Sequence, residues 1–130
     1  MEAQSASPRL WEDEQLLARA RELVERGWTQ SALAEDGYGR QVEPWSGSAI
    51  RWSPLGALLR AWYERGGEST RDFGAAYVAL ALATGGKVAE WNAAPWRTRR
   101  HAASAFGRAR EYLPEAREHA RTLREGGSPS

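Results

Sequence analysis

The stretch SPLGALLRAWYERGG (Ser53–Gly67) decides the fold class. Ser53 has the side-chain oxygen of a helix N-cap, and Pro54 fits the first helical position, where a missing N–H costs nothing. Leu55, Leu58, Leu59 and Trp62 then recur at helical spacing and predict one inward-facing side. Gly56 breaks the pattern. A glycine inside a helix costs about 1 kcal/mol relative to alanine, so close packing or the approach of a ligand is expected there.

The same periodicity extends outward. Residues 8–26 (PRLWEDEQLLARARELVER) place Leu10, Leu17 and Val24 on one side, with Ala20 and Leu23 beside them. Acidic residues come early and arginines late, which suits the helix dipole, and Gly27 is the stop. After Gly67, Ser69 and Asp72 have capping-box spacing; Phe73, Tyr77 and Leu80 form a face that ends at Gly85-Gly86. A link over 87–95 leads to a further helix from about Arg99, and Pro114 predicts a break near Leu113. Leu113, Ala116, Ala120 and Leu123 give the last segment a narrow apolar stripe. Between residues 28 and 47, Asp36-Gly37 is a turn signal that fits either a short hairpin or an irregular loop. The expectation is a mainly all-α fold: a compact bundle of four to five helices with short loops and room for one small β-hairpin near 31–42. One helical domain should span 8–125, between flexible tails at 1–7 and 126–130.

Composition narrows the chemistry. The 130 residues include no cysteine, which excludes disulfides, thiolate metal sites and cysteine nucleophiles. Two histidines and no compact acidic cluster predict no metal site, and no cofactor motif is present. The net charge is +1, too small for the field that gathers nucleic acid, so that partner is disfavoured. No signal peptide and no run of the ~20 apolar residues of a membrane span is seen, which gives a cytoplasmic expectation without membrane contact.

Seven tryptophans against two phenylalanines is an odd balance. Trp11 and Trp62 lie on helices and are expected in the core. Trp28, Trp45, Trp52, Trp91 and Trp96 lie in or beside turns, where a pocket wall is a serious alternative.

WNAAPWRTRRH (Trp91–His101) concentrates the functional signal. Five arginines and no acid lie between Arg97 and Arg110. With Thr98 as a cap, Arg99 and Arg100 fall at the positive end of a helix, where each costs several tenths of a kcal/mol, about 0.3 or more, unless compensated. Compensation can come from acids elsewhere, such as Glu35, Glu43 or Glu90, from water, or from a bound anion held by guanidinium forks and free amides. The candidate ligand-binding residues are therefore Trp91, Asn92, Trp96, Arg97, Arg99, Arg100 and Trp52. Catalytic candidates are weaker. His101 could act as a base near the helix start, Ser53 as a nucleophile and Asn92 as an oxyanion donor, although capping, turn and surface roles suffice for all three.

SPLGALLRA (Ser53–Ala61) and WNAAPWRT (Trp91–Thr98), separated by a helix and a loop, resemble a bacterial domain family of unknown function, DUF6197. The resemblance runs from about Leu10 to Ala109. It implies a short, mostly helical scaffold in which a Trp-Asn turn packs near a Gly-Ala helix, and it carries over to Gly56-Ala57, Trp91-Asn92 and Arg97-Thr98. Ser53 stands where the family pattern has cysteine, Ala93 where it has aspartate and Trp96 where it has glycine. Any chemistry resting on that cysteine and aspartate is therefore not carried over.

The leading expectation is a protein that binds an anionic, aromatic-bearing small molecule or peptide, as an accessory factor of a biosynthetic pathway. Its site would lie between the start of the Ser53 helix and the Trp91–His101 loop. The alternatives are a cofactor-free isomerase, cyclase or hydrolase-like enzyme in the same pocket, and an interaction or homodimerisation module using the Leu113–Leu123 stripe.

Overall fold

The computed structural model describes residues 8–66 and 74–126, without the side chains of residues 8–12, 120 and 123–126. Among the described residues, six helices and one small sheet follow in the order α1 (Pro8–Arg26), β1 (Ala34–Glu35), β2 (Arg51–Trp52), α2 (Pro54–Glu64), α3 (Gly74–Ala83), α4 (Val88–Ala93), α5 (Arg99–Glu111) and α6 (Leu113–Gly126). The chain is mainly α-helical, as the periodicity predicts. The helix beyond the expected five is α4, which occupies part of the segment read as a link. The Ser69–Asp72 capping box and Phe73 lie outside the described residues, as does the side chain of Trp11.

Amphipathic faces set the packing. Leu17, Ala20, Leu23 and Val24 of α1 are buried, and α1 packs along both α2 and α5. Leu58 and Ala61 of α2, Leu80 of α3 and Phe106 of α5 complete the centre. The break at Pro114 separates α5 from α6, with Pro114 near the start of the new helix, where its missing N–H is harmless. Leu113 and Ala116 are buried, and α6 packs on α3, so the described half of the C-terminal stripe is part of the chain's own core.

The hairpin forms around Asp36-Gly37. Glu35 bridges Gln41, and the Val42 amide donates to Ala34 O at 3.1 Å. The same short strand also pairs antiparallel with β2, Ala34 opposite Trp52 and Glu35 opposite Arg51. Asp36 holds the turn rigid, its Oδ1 accepting from the amides of Tyr38 and Arg40 at 2.9 and 2.8 Å. Trp52 is 5 % exposed, and its indole N–H donates to Pro44 O at 3.0 Å, so this tryptophan is core.

Gly56 explains how α2 meets the sheet. A Cβ there would stand 1.8 Å from the carbonyl oxygen of Leu33, so only glycine lets that backbone lie against the helix. Ser53 is the cap: its backbone is extended (φ −75°, ψ 168°), and its Oγ accepts from the Gly56 amide at 3.0 Å.

Candidate functional site, a cleft between α2 and α4

The close approach at Gly56 leaves residues 30–33 running past the start of α2, where the Ser53 amide donates to Leu33 O at 3.1 Å. α4 closes the third side, held by Asn92. The Asn92 side chain accepts from Trp28 Nε1 at 2.8 Å and donates to Thr29 O at 3.1 Å. Gln30 Nε2 adds bonds to Asn92 O and Ala94 O at 2.9 and 2.8 Å. Asn92 is 3 % exposed, so the bonds of its side chain to Trp28 and Thr29 replace water and are costly to lose.

Between these elements lies a cleft of about 230 Å³. Ala32, Leu33, Pro54, Leu55, Val88 and Ala89 supply mostly apolar walls; Gln30, Ser31, Ser53 and Asn92 supply the polar groups. Ser53 is 8 % exposed, and its hydroxyl accepts from Gly56 while finding no acceptor of its own among the described residues. The neighbouring Leu55 amide is a first-turn donor with no carbonyl behind it in the helix. Two donors thus stand at the positive end of α2 beside an apolar wall.

At the rim, Ser31 Oγ bonds Glu35 at 3.1 Å. Burial pushes the Glu35 carboxyl up, but hydrogen bonds from Arg51, Ser31 and Thr29 outweigh it and hold the group below its ordinary range. Its charge is paired with Arg51 at 3.2 Å.

The arginine stretch goes elsewhere. The Arg97 guanidinium lies 3.8 Å from the centroid of the Trp91 ring, and its Nε donates to Trp91 O at 2.7 Å. Thr98 caps α5 in a reciprocal box with histidine in the acceptor role: His101 N donates to Thr98 Oγ1 at 3.2 Å, and Thr98 N donates to His101 Nδ1 at 3.1 Å. Arg99 donates to the carbonyl of Glu25, at the end of α1, at 3.3 Å. The negative end of one helix therefore offsets a cation at the positive end of another. No ion pair among the described residues joins Glu35, Glu43 or Glu90 to Arg97, Arg99 or Arg100. Arg99 and Arg100 line a separate cleft with Arg21, Glu25, Ala103 and Ser104. Trp96 is 70 % exposed.

Of the residues singled out in sequence, Ser53 and Asn92 meet in the α2–α4 cleft. Arg97 and Trp91 pair with each other, Arg99 and Arg100 line the second cleft, and Trp52 is interior. His101 lines neither cleft. Sequence reasoning missed Gln30, Leu33 and Val88 as lining residues; Gly56 was the signal that something approaches α2, but nothing in the linear sequence names Leu33.

The fold and cleft define a small, mainly helical protein with one two-stranded sheet. The chain belongs to the DUF6197 family of unknown function, which it matches over residues 11–112. No curated protein and no solved structure matches it. Among the described residues, no helix is long and apolar enough to cross a membrane.

Proposed function

We propose that this protein binds a small anionic molecule carrying an aromatic ring, seated in the α2–α4 cleft. The observation that carries the reading is the Ser53 hydroxyl, nine-tenths buried, with a proton unmatched by any acceptor among the described residues, at the edge of an apolar cleft. A carboxylate there would accept from Ser53 and from the Leu55 amide, with the dipole of α2 in its favour. The ring would lie against Leu33, Leu55 and Val88.

Size selects the ligand class. At about 230 Å³ the cleft falls below the ~300 Å³ at which drug-sized ligands begin, so a single-ring carboxylate is the expected size. Binding is favoured over serine-type catalysis, because Ser53 and Asn92 share the cleft without His101, and both Asn92 side-chain polar atoms are engaged by the protein. An accessory role in handling a biosynthetic intermediate fits such a site.

Titration with benzoate and phenylacetate, followed by amide NMR, tests this. The Leu55 and Gly56 signals should move in a saturable way, and Ser53→Ala should weaken binding about tenfold, the worth of one hydrogen bond to a charged group. Unmoved Leu55 and Gly56 amides at saturating ring carboxylate would overturn the assignment, whatever the effect of Ser53→Ala on folding.

A further inference from the structure

The arginines of α5 border a groove of their own. One cleft of about 250 Å³ takes in Arg99, Arg100, Arg21 and Glu25; another of about 250 Å³ takes in Arg21, Glu22, Glu25 and Arg110. They share Arg21 and Glu25, so together they make one seam between α1 and α5. Its floor on α5 is low, because Ala103, Ser104 and Gly107 carry little side chain.

The charge along the seam is ordered. Arg99 and Arg100 stand at one end and Arg110 at the other, with Glu22 and Glu25 between them. The middle is internally balanced, since Arg21 bonds Glu25 at 3.1 Å and Arg19 bonds Glu22 at 3.0 Å. The ends are not. Arg100 has no ion pair or hydrogen bond among the described residues, and Arg110 has only a long, exposed ion pair with Glu14, at 3.8 Å beyond hydrogen-bond reach. From Arg99 to Arg110 the helix rises about 16 Å at ~1.5 Å per residue. An extended chain covers that span in about five to six residues at ~3.3 Å each, and the even spacing of six puts both end side chains on one face.

We propose that the α1–α5 seam docks an extended peptide with two acidic side chains six residues apart, one on Arg99 and Arg100 and one on Arg110. The spacing argues for a peptide over nucleic acid. A phosphate backbone bears a charge on every unit and would set phosphates against Glu22 and Glu25. Uncharged residues between two acids would instead cross those glutamates and offer them backbone N–H groups. The seam shares no residue with the Ser53 cleft, so either site can fail without the other.

The test is a low-salt NMR titration of the full chain with three probes. One is a peptide with glutamates at its first and seventh positions and Gly/Ser between. The second has the same composition with the glutamates adjacent, and the third is a short DNA duplex. The spaced peptide should move signals on both α1 and α5 and bind about fivefold more tightly than the adjacent one, the upper worth of one exposed ion pair. Arg100→Gln with Arg110→Gln should erase that preference while helix content stays constant, and added salt should weaken the binding. Ser53→Ala should leave it unchanged. Equal affinity for the two peptides, no shift with either, or tighter binding of the duplex would overturn the proposal.

Discussion

Each of the two clefts has a glycine on the helix that lines it, and the two glycines are there for different reasons. At Gly56 the nearest obstacle to a Cβ is backbone, the Leu33 carbonyl oxygen at 1.8 Å. At Gly107 it is the far end of a side chain, Arg21 Nη1 at 3.3 Å. The α2–α4 cleft is thus made by main chains forced close together and tied by buried hydrogen bonds. The α1–α5 seam is made by the spacing of two regular helices whose long side chains can move. The first should be rigid and selective by shape; the second should be adaptable and selective by charge.

The sharpest way to break that contrast is Gly56→Ala. The methyl group cannot be accommodated without moving residues 31–33 away from α2, and that motion would also pull Leu33 O from the Ser53 amide. The expected loss is about 3 kcal/mol, at the upper end of overpacking costs, measured by chemical denaturation. A loss under 1 kcal/mol, well below the ~1–3 usual for overpacking, would show that the contact is soft and the two clefts are alike.

Next in size is Asn92→Ala. It strands the Trp28 indole N–H and the Thr29 carbonyl, both held by a side chain that is itself nearly inaccessible. Leaving buried polar groups unpaired costs about 2 kcal/mol, and the Trp28 emission should change as α4 loosens. Unchanged stability and emission would mean that water replaces both bonds, and hence that the cleft is already open to solvent.

The contrast between the clefts also explains what could be read from the sequence. The mainly helical fold, the Ser53 cap, the Thr98 cap and the break at Pro114 are local signals, since periodicity and capping act within a few residues. α4 escaped notice because its six residues, VAEWNA, are too few to show a period, and its position is set by Asn92 bonds to Trp28 and Thr29 more than sixty residues away. The candidate site was legible in halves. Ser53 and Asn92 could be named, but not that Leu33 and Val88 would wall them in. The arginines stood out as a cluster, yet Arg97 precedes the Thr98 cap while Arg99 opens α5, so the two leave the chain in different directions. Arg97 turned back to Trp91, while Arg99 reached α1. Trp52 was the reverse case: beside a predicted turn, it is buried because β1 pairs across from it.

The smallest effect has the opposite sign. Gly107→Ala should stabilise the protein by about 0.5 kcal/mol, because alanine restricts the unfolded chain and favours the helix by up to ~1 kcal/mol, less what Arg21 spends in shifting. The obstacle at 3.3 Å is one guanidinium nitrogen on a flexible stem that is about half exposed, and Arg21 can yield a few tenths of an ångström while keeping its bond to Glu25. The same methyl group raises the floor of the seam, so the spaced acidic peptide should bind more weakly even as the melting temperature rises. A destabilised Gly107→Ala would mean that α1 and α5 are locked as tightly there as α2 is against Leu33, and the distinction between a rigid and an adaptable cleft would fall.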